Sequence, residues 1–218
     1  MQLIPFHKIY GLYAITPDEA DTGLLLAKVE AALQGGISVL QYRNKQASCD
    51  LQAQQARAIL PLCKQYRVPF IINDSIELCL TLDADGVHIG ADDGNIAEVK
   101  AMLGVNKILG ASCYNRFDLA LTAQQAGATY VAFGACFASS TKPHAPVASI
   151  DLFKQAKAQL HIPAVAIGGI TLENVPSVIQ AGANSIAVIN AIFNADDVKL
   201  AAQQFARLFK ESTLKATT

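Results

Sequence analysis

Three polar side chains stand at every second position directly after the apolar run 37–40 of this chain. They are Gln41, Arg43 and Lys45. Because a β-strand turns alternate side chains to the same face, a strand continued through this stretch places all three on one face. Two adjacent cations repel each other unless an anion lies between them. The spacing therefore indicates either an anion-binding site or the solvated face of an edge strand.

Carboxylates follow two later apolar runs. Asp74 comes after Asn73 at the end of one run, and Asp92 and Asp93 come after Gly90 at the end of the next. Each carboxylate could cap the helix that follows it. Two such groups on neighbouring strands also suit Mg²⁺, which prefers few carboxylates together with waters and phosphate oxygens. The pattern therefore predicts a magnesium site if the two strand ends are neighbours.

Two further segments contain candidate functional residues. Gly168 and Gly169 precede Thr171, where they either form a simple turn or let a phosphate approach backbone N–H groups. His88 lies inside the apolar run 86–90, which indicates a packed core histidine. The spacing shows no Ser/His/Asp or Cys/His arrangement, so we do not expect covalent catalysis.

Eight short apolar runs alternate with amphipathic segments along the chain. The runs are 12–16, 39–43, 70–73, 86–90, 108–113, 130–135, 164–168 and 185–190. Eight such repeats in 218 residues predict one (β/α)₈ TIM-barrel domain over residues 1–218, with a frayed tail at 211–218. A doubly wound open sheet is the alternative, but the first turn, 16–19, lacks the expected glycines.

Composition narrows the classes of partner and location. The net charge of −1 argues against nucleic acid or an anionic membrane as the main partner. The five cysteines are odd in number and form no C-x-x-C pair, which indicates reduced thiols and a cytoplasmic protein. No apolar run approaches membrane-spanning length, and no secretory leader is expected. The oligomeric state stays open, with a homodimer as one expectation.

Taken together, these segments resemble the thiamine-phosphate synthase family in order and spacing over residues 12–193. The matching segments are 41–45, 72–74, 85–90 with Asp93, 110–112, 139–142 and 166–170. The resemblance implies a transferase that joins a hydroxymethylpyrimidine diphosphate to a thiazole phosphate, releasing pyrophosphate and thiamine phosphate. It does not say whether the thiazole arrives carboxylated.

The resemblance also implies a role for each matched position. The positions implied for the pyrimidine diphosphate are Gln41, Arg43, Lys45, Asn73, Ser112 and Lys142. The catalytic positions among them are Arg43, Lys45, Ser112 and Lys142. The positions implied for the thiazole phosphate are Ser139, Ser140, Thr141, Gly169, Ile189 and Asn190. The implied ligands of Mg²⁺ are Asp74 and Asp93.

Four positions depart from common family residues without removing a charge, so we expect effects on affinity more than on the reaction. They are Ala91, Ala138, Ser139 and Asn190. Two other functions remain open on the same scaffold: a thiazole tautomerase, and a non-catalytic sensor of phosphorylated ligands. The synthase is favoured because the diphosphate cations and both metal carboxylates are present together.

Overall fold

Eight parallel strands pair in sequence order, and the last pairs with the first to close a barrel. This computed structural model describes residues 9–90, 93–138 and 148–217. The strands are β1 Gly11–Ile15, β2 Val39–Tyr42, β3 Phe70–Asn73, β4 Gly86–Ile89, β5 Ile108–Tyr114, β6 Tyr130–Phe133, β7 Ala164–Ile167 and β8 Ser185–Val188. The (β/α)₈ prediction is confirmed, and the open-sheet alternative is wrong. Since β2 pairs on both sides, it is not an edge strand.

Helices follow the strands around the outside of the barrel. They are α1 Thr22–Gln34, α2 Cys49–Tyr66, α3 Ile76–Leu82, α4 Ile96–Leu103, α5 Phe117–Gln125, α6 Asp151–Gln159, α7 Val175–Ala181, α8 Asn190–Phe193 and α9 Val198–Thr217. The last helix continues to Thr217, so the segment in which the sequence indicates a tail is helical. Among the described residues, no helix is long and apolar enough to cross a membrane.

Two apolar cores lie on opposite faces of the strands. On β2, Leu40 belongs to the large core shared with the helices, whereas Val39 belongs to a smaller core. On β3, Phe70 and Ile72 face the helices and Ile71 belongs to the smaller core. Alternate residues point to opposite faces, so the smaller core fills the inside of the barrel. Burial on both faces explains why the strands read as continuous apolar runs.

Candidate active site

The end of β1 holds the segment that follows β2. The buried Thr16 hydroxyl accepts a hydrogen bond from the Arg43 N–H and donates one to the Arg43 carbonyl, each at 2.8 Å. Asp18 Oδ1 accepts from the Lys45 N–H at 2.7 Å and pairs with the Arg43 guanidinium at 3.4 Å. These contacts set the backbone position from which both cations project. Sequence reasoning missed Thr16 and Asp18, although they alternate after β1 as the polar residues do after β2.

The alternation of side-chain direction predicted after β2 continues past the end of that strand. Gln41 is only 3% exposed and lies in the barrel wall. Tyr42 and Asn44 turn the other way, toward α2, where both donate hydrogen bonds to Gln55 Oε1, at 2.8 and 3.0 Å. Asn44 also donates to the Glu19 carbonyl at 2.7 Å. This buried network anchors the segment from behind.

Asp74 stands where β3 ends, and its carboxylate meets Lys45 Nζ at 3.2 Å. Its backbone adopts a left-handed conformation with φ of 62°, and its N–H donates to the His88 carbonyl at 2.8 Å. The alternative role as a helix cap is wrong, because the Ser75 side chain caps α3. Asp74 is therefore available to the space beside Lys45.

Asp93 folds back over the end of β4. Its Oδ2 accepts from the Gly90 N–H at 2.7 Å, and a Cβ on Gly90 would lie 2.8 Å from that oxygen. Asn95, not Asp93, caps α4. Burial raises the pKa of Asp74, the Lys45 ammonium partly offsets this, and the Asp93 carboxylate raises the pKa further. The structure thus brings the two carboxylates close enough to repel each other.

His88 joins Ser112 to the inside of the barrel. Its Nε2 lies 2.9 Å from Ser112 Oγ, and its Nδ1 lies 2.9 Å from the Tyr130 hydroxyl. Burial lowers the pKa of His88 to about 4, with the Asp93 carboxylate opposing this shift, so the ring is neutral at pH 7. His88 is thus a core residue, as its apolar run indicates, but it also contacts a predicted site residue.

The ends of β7 and β8 offer backbone rather than charged side chains. Gly169 has φ of 62°, and a Cβ there would lie 2.6 Å from the Phe137 carbonyl oxygen and 2.8 Å from that of Ala138. Only glycine therefore fits at this position. Asn190 begins α8 directly after Ile189, and the first turn of a helix has N–H groups without intrahelical partners.

At the carboxyl end of the barrel, the structure brings together Arg43, Lys45, Asn73, Asp74 and Asp93. A cavity of about 250 Å³ beside it is lined by residues that include Arg43, Lys45, Asn73 and Asp74. Four predicted substrate residues, one of which also departs from the family pattern, lie outside the described residues, as does one further departure from that pattern. They are Ser139, Ser140, Thr141 and Lys142, and Ala91. Within the described ranges, no group of three or more acidic, histidine or cysteine residues is arranged to hold a metal ion. The Asp74–Asp93 pair would need other oxygens to complete a shell.

Comparisons with known proteins show which family this chain resembles. A family model described as thiamine monophosphate synthase matches residues 12–192. A thiamine-phosphate synthase of Methylobacillus flagellatus is 56% identical over 92% of this chain and 96% of its own length. One of Aromatoleum aromaticum is 48% identical over 94% and 99%. The solved structure of a thiamine phosphate pyrophosphorylase from Pyrococcus furiosus matches with a TM-score of 0.85 and 31% identity, covering 95% of this chain and 98% of that one.

Identity at this level extends over almost the whole length of each relative, so the likeness is not confined to the barrel architecture. It includes the segments after β2, β3, β4 and β5 that carry the described site residues. The chain belongs to the thiamine monophosphate synthase family.

Proposed function

We propose that this protein is a transferase that joins a hydroxymethylpyrimidine diphosphate to a thiazole phosphate, forming thiamine phosphate and pyrophosphate. The observation that carries the proposal is a single cavity at the mouth of the barrel lined by two cations, Arg43 and Lys45, and by Asp74. The Asp93 carboxylate acts on Asp74 from the next strand end. A diphosphate ester needs both kinds of group: cations for its oxygens, and carboxylates that would hold a metal ion to neutralise its charge.

The reaction breaks the bond between the pyrimidine methylene carbon and the diphosphate oxygen. The electron pair leaves with pyrophosphate, and the thiazole nitrogen then supplies the pair for the new carbon–nitrogen bond. Arg43 and Lys45 stabilise the charge that develops on the leaving group. Gln41, Asn73 and Ser112 hold the pyrimidine portion, so that the reacting atoms stay aligned. No general base is needed in this scheme, because the attacking nitrogen carries no proton.

Asp74 and Asp93 would hold Mg²⁺. Their fit to a divalent cation rests on the donor set, because two carboxylates follow the ends of the paired strands β3 and β4, where the Asp93 charge raises the pKa of Asp74. When bound, Mg²⁺ supplies positive charge to the diphosphate oxygens. The Lys45 ammonium, 3.2 Å from Asp74, already holds one of these carboxylates toward the site.

The thiazole phosphate is assigned to the opposite side of the barrel mouth. The residues assigned to it are Ser139, Ser140, Thr141, Gly169, Ile189 and Asn190. Lys142 is assigned to the pyrimidine diphosphate. The missing side chain of Gly169 lets the loop after β6 lie against the end of β7, where a Cβ would meet the Phe137 and Ala138 carbonyl oxygens. The first turn of α8 adds N–H groups suited to a phosphate. A cytoplasmic location and a homodimeric state remain predictions from the sequence.

The experiment is a direct assay of thiamine phosphate formation across a magnesium titration. We expect product from the wild-type protein that EDTA abolishes. We expect Asp74→Asn to need about tenfold more Mg²⁺ for half-maximal rate, because one charged ligand is worth on the order of 1.4 kcal/mol or more. The control is Asp83→Asn, an exposed carboxylate at the C-terminal end of α3 that pairs with Lys107.

Each part of the proposal has its own contradicting result. An unchanged titration in Asp74→Asn removes this carboxylate from the metal site, and product formation that resists EDTA removes the metal. Binding of both substrates without product would contradict the synthase activity and favour a sensor.

A further inference from the structure

A line of four side chains runs from the inside of the barrel to Ser112. The Tyr13 and Tyr130 hydroxyls lie 2.8 Å apart, Tyr130 lies 2.9 Å from His88 Nδ1, and His88 Nε2 lies 2.9 Å from Ser112 Oγ. Both tyrosines are fully buried. The line therefore connects a predicted substrate residue to groups that no substrate can reach.

Gly110 of β5 makes this line possible. It lies in register between His88 on β4 and Tyr130 on β6. A Cβ on Gly110 would lie 2.1 Å from Tyr130 Cζ and 2.5 Å from His88 Nδ1. Because glycine has no side chain, the two rings stack across β5 with centroids 5.5 Å apart. The register of β4, β5 and β6 therefore determines the contact between the two rings.

The hydrogen atoms in the line can be counted. Burial raises the pKa of both tyrosine hydroxyls, so each keeps its proton at neutral pH. Within the described residues, the only hydrogen-bond partner of the Tyr13 hydroxyl is Tyr130. A buried donor without an acceptor costs about 1–3 kcal/mol. Tyr13 therefore donates to Tyr130, and Tyr130 directs its own hydrogen to His88 Nδ1.

The direction of the hydrogen bond from Tyr130 to His88 determines the remaining hydrogen bonds in the line. Nδ1 accepts, so the neutral ring carries its proton on Nε2 and donates it to Ser112 Oγ. The opposite direction leaves the Tyr13 hydrogen without an acceptor. A doubly protonated ring leaves one tyrosine hydrogen without an acceptor as well. In the one arrangement that satisfies every donor, the hydrogen of the Ser112 hydroxyl has no acceptor within the described ranges and is left for a ligand.

We propose that Tyr13, Tyr130 and His88 are positioning residues that fix the Ser112 hydroxyl as a hydrogen-bond donor to the pyrimidine diphosphate. Ser112 then recognises a lone pair, on a ring nitrogen or a phosphate oxygen, and rejects a donor at the same place. The identity of that acceptor rests on the proposed function, whereas the position of the His88 proton is independent of that function.

The first test reads that position directly by ¹⁵N NMR of the histidine rings at pH 7. His88 is one of four histidines in the chain, and its signals are assigned as those lost in His88→Gln. Should that variant not fold, Tyr130→Phe gives the assignment by shifting the Nδ1 signal. We expect an unprotonated Nδ1 and a protonated Nε2. A proton on Nδ1, or on both nitrogens, overturns the proposal.

The second test asks whether the donated hydrogen bond matters to catalysis. The amide of glutamine in His88→Gln can accept from Tyr130 and donate to Ser112, whereas His88→Leu can do neither. We expect His88→Leu to lower kcat/KM for the pyrimidine diphosphate about 10-fold or more, with the KM for thiazole phosphate unchanged. His88→Gln should restore most of that loss. Equal losses in two folded variants contradict the positioning role.

The two tests separate this proposal from the proposed function. If the wild-type protein makes no thiamine phosphate, the synthase proposal fails, yet the NMR measurement still decides the direction of the line. If the protein is active and the proton lies on Nδ1, only the positioning proposal fails.

Discussion

At the scale of single residues, Asp18 has more influence on the site than its place in the sequence indicates. One oxygen of its carboxylate holds the backbone of Lys45 and also pairs with the Arg43 guanidinium. Both cations of the proposed diphosphate site therefore depend on a residue from the preceding strand end. Its side chain is one-third exposed, so water weakens the ion pair, and the backbone contact is the more important of the two.

We expect Asp18→Ala to lower kcat/KM for the pyrimidine diphosphate about tenfold, since a hydrogen bond to a charged group contributes roughly 1.5–3 kcal/mol and 1.4 kcal/mol is tenfold. The measurement is steady-state kinetics with the pyrimidine diphosphate varied. Glu211→Ala is the control, because that carboxylate pairs with Arg207 on α9, outside the site. Equal kinetic constants in Asp18→Ala and wild type would show that the segment holds its place without Asp18.

At the scale of elements, α2 and the segment after β2 form one unit through Gln55. This residue is completely buried, and its amide oxygen accepts from Tyr42 and Asn44 while its nitrogen donates to the Glu19 carbonyl. Three segments, after β1, after β2 and in α2, therefore share one amide group. Buried polar groups of this kind are stabilising only while all their partners are present.

We expect Gln55→Met to lower the free energy of unfolding by about 2–3 kcal/mol, because it leaves buried polar groups without a partner while keeping the side-chain volume similar. Urea unfolding followed by circular dichroism measures the change. Gln54→Met is the matched control, the same substitution at an exposed neighbouring position of α2. A difference between the variants below about 0.5 kcal/mol would mean that water replaces the lost bonds.

The elements also show what the sequence could predict. The amphipathic pattern of the sequence predicts helices over 96–103 and 175–181, and α4 and α7 have these bounds, because both segments have a clear periodicity and end at glycine. The sequence pattern does not predict the four-residue α8, because a single turn has no period. It also does not predict the helical end of α9, because a polar helix end resembles a tail. Their position depends on packing against the rest of the barrel, which cannot be inferred from the local sequence pattern.

At the scale of the whole molecule, barrel closure explains why the sequence can predict which polar residues lie near one another. Once eight parallel strands close, all their carboxyl ends lie at one end, and polar residues at those ends must converge. This rule predicts the convergence of Arg43, Lys45, Asp74 and Asp93. The role of His88 does not, because it depends on which atoms of Tyr130 and Ser112 meet across the missing side chain of Gly110.

Packing of the helices against the barrel buries four of the five cysteines. They are Cys63, Cys79, Cys113 and Cys136. Burial raises the pKa of Cys63 and Cys113 to about 12 and that of Cys79 and Cys136 to about 11. A raised thiol pKa lowers the fraction of reactive thiolate at pH 8. Cys49 is exposed.

We therefore expect iodoacetamide at pH 8 to label Cys49 alone in the native protein and all five cysteines in urea, as counted by mass spectrometry. Labelling of the other four should follow global unfolding, because each lies in the apolar layer between strands and helices. Rapid native labelling of Cys113, beside Ser112, would contradict this expectation and show that β5 opens locally.

The two-sided segment after β2 has a consequence for how the sequence can change over time. Arg43 and Lys45 contact groups at the barrel mouth, whereas Tyr42 and Asn44 contact Gln55 behind it. Adjacent codons thus encode separate properties, one affinity for ligand and the other stability of the fold. A lineage, or a mutant library restricted to positions 43 and 45, can explore new anionic ligands while the scaffold that presents them stays intact.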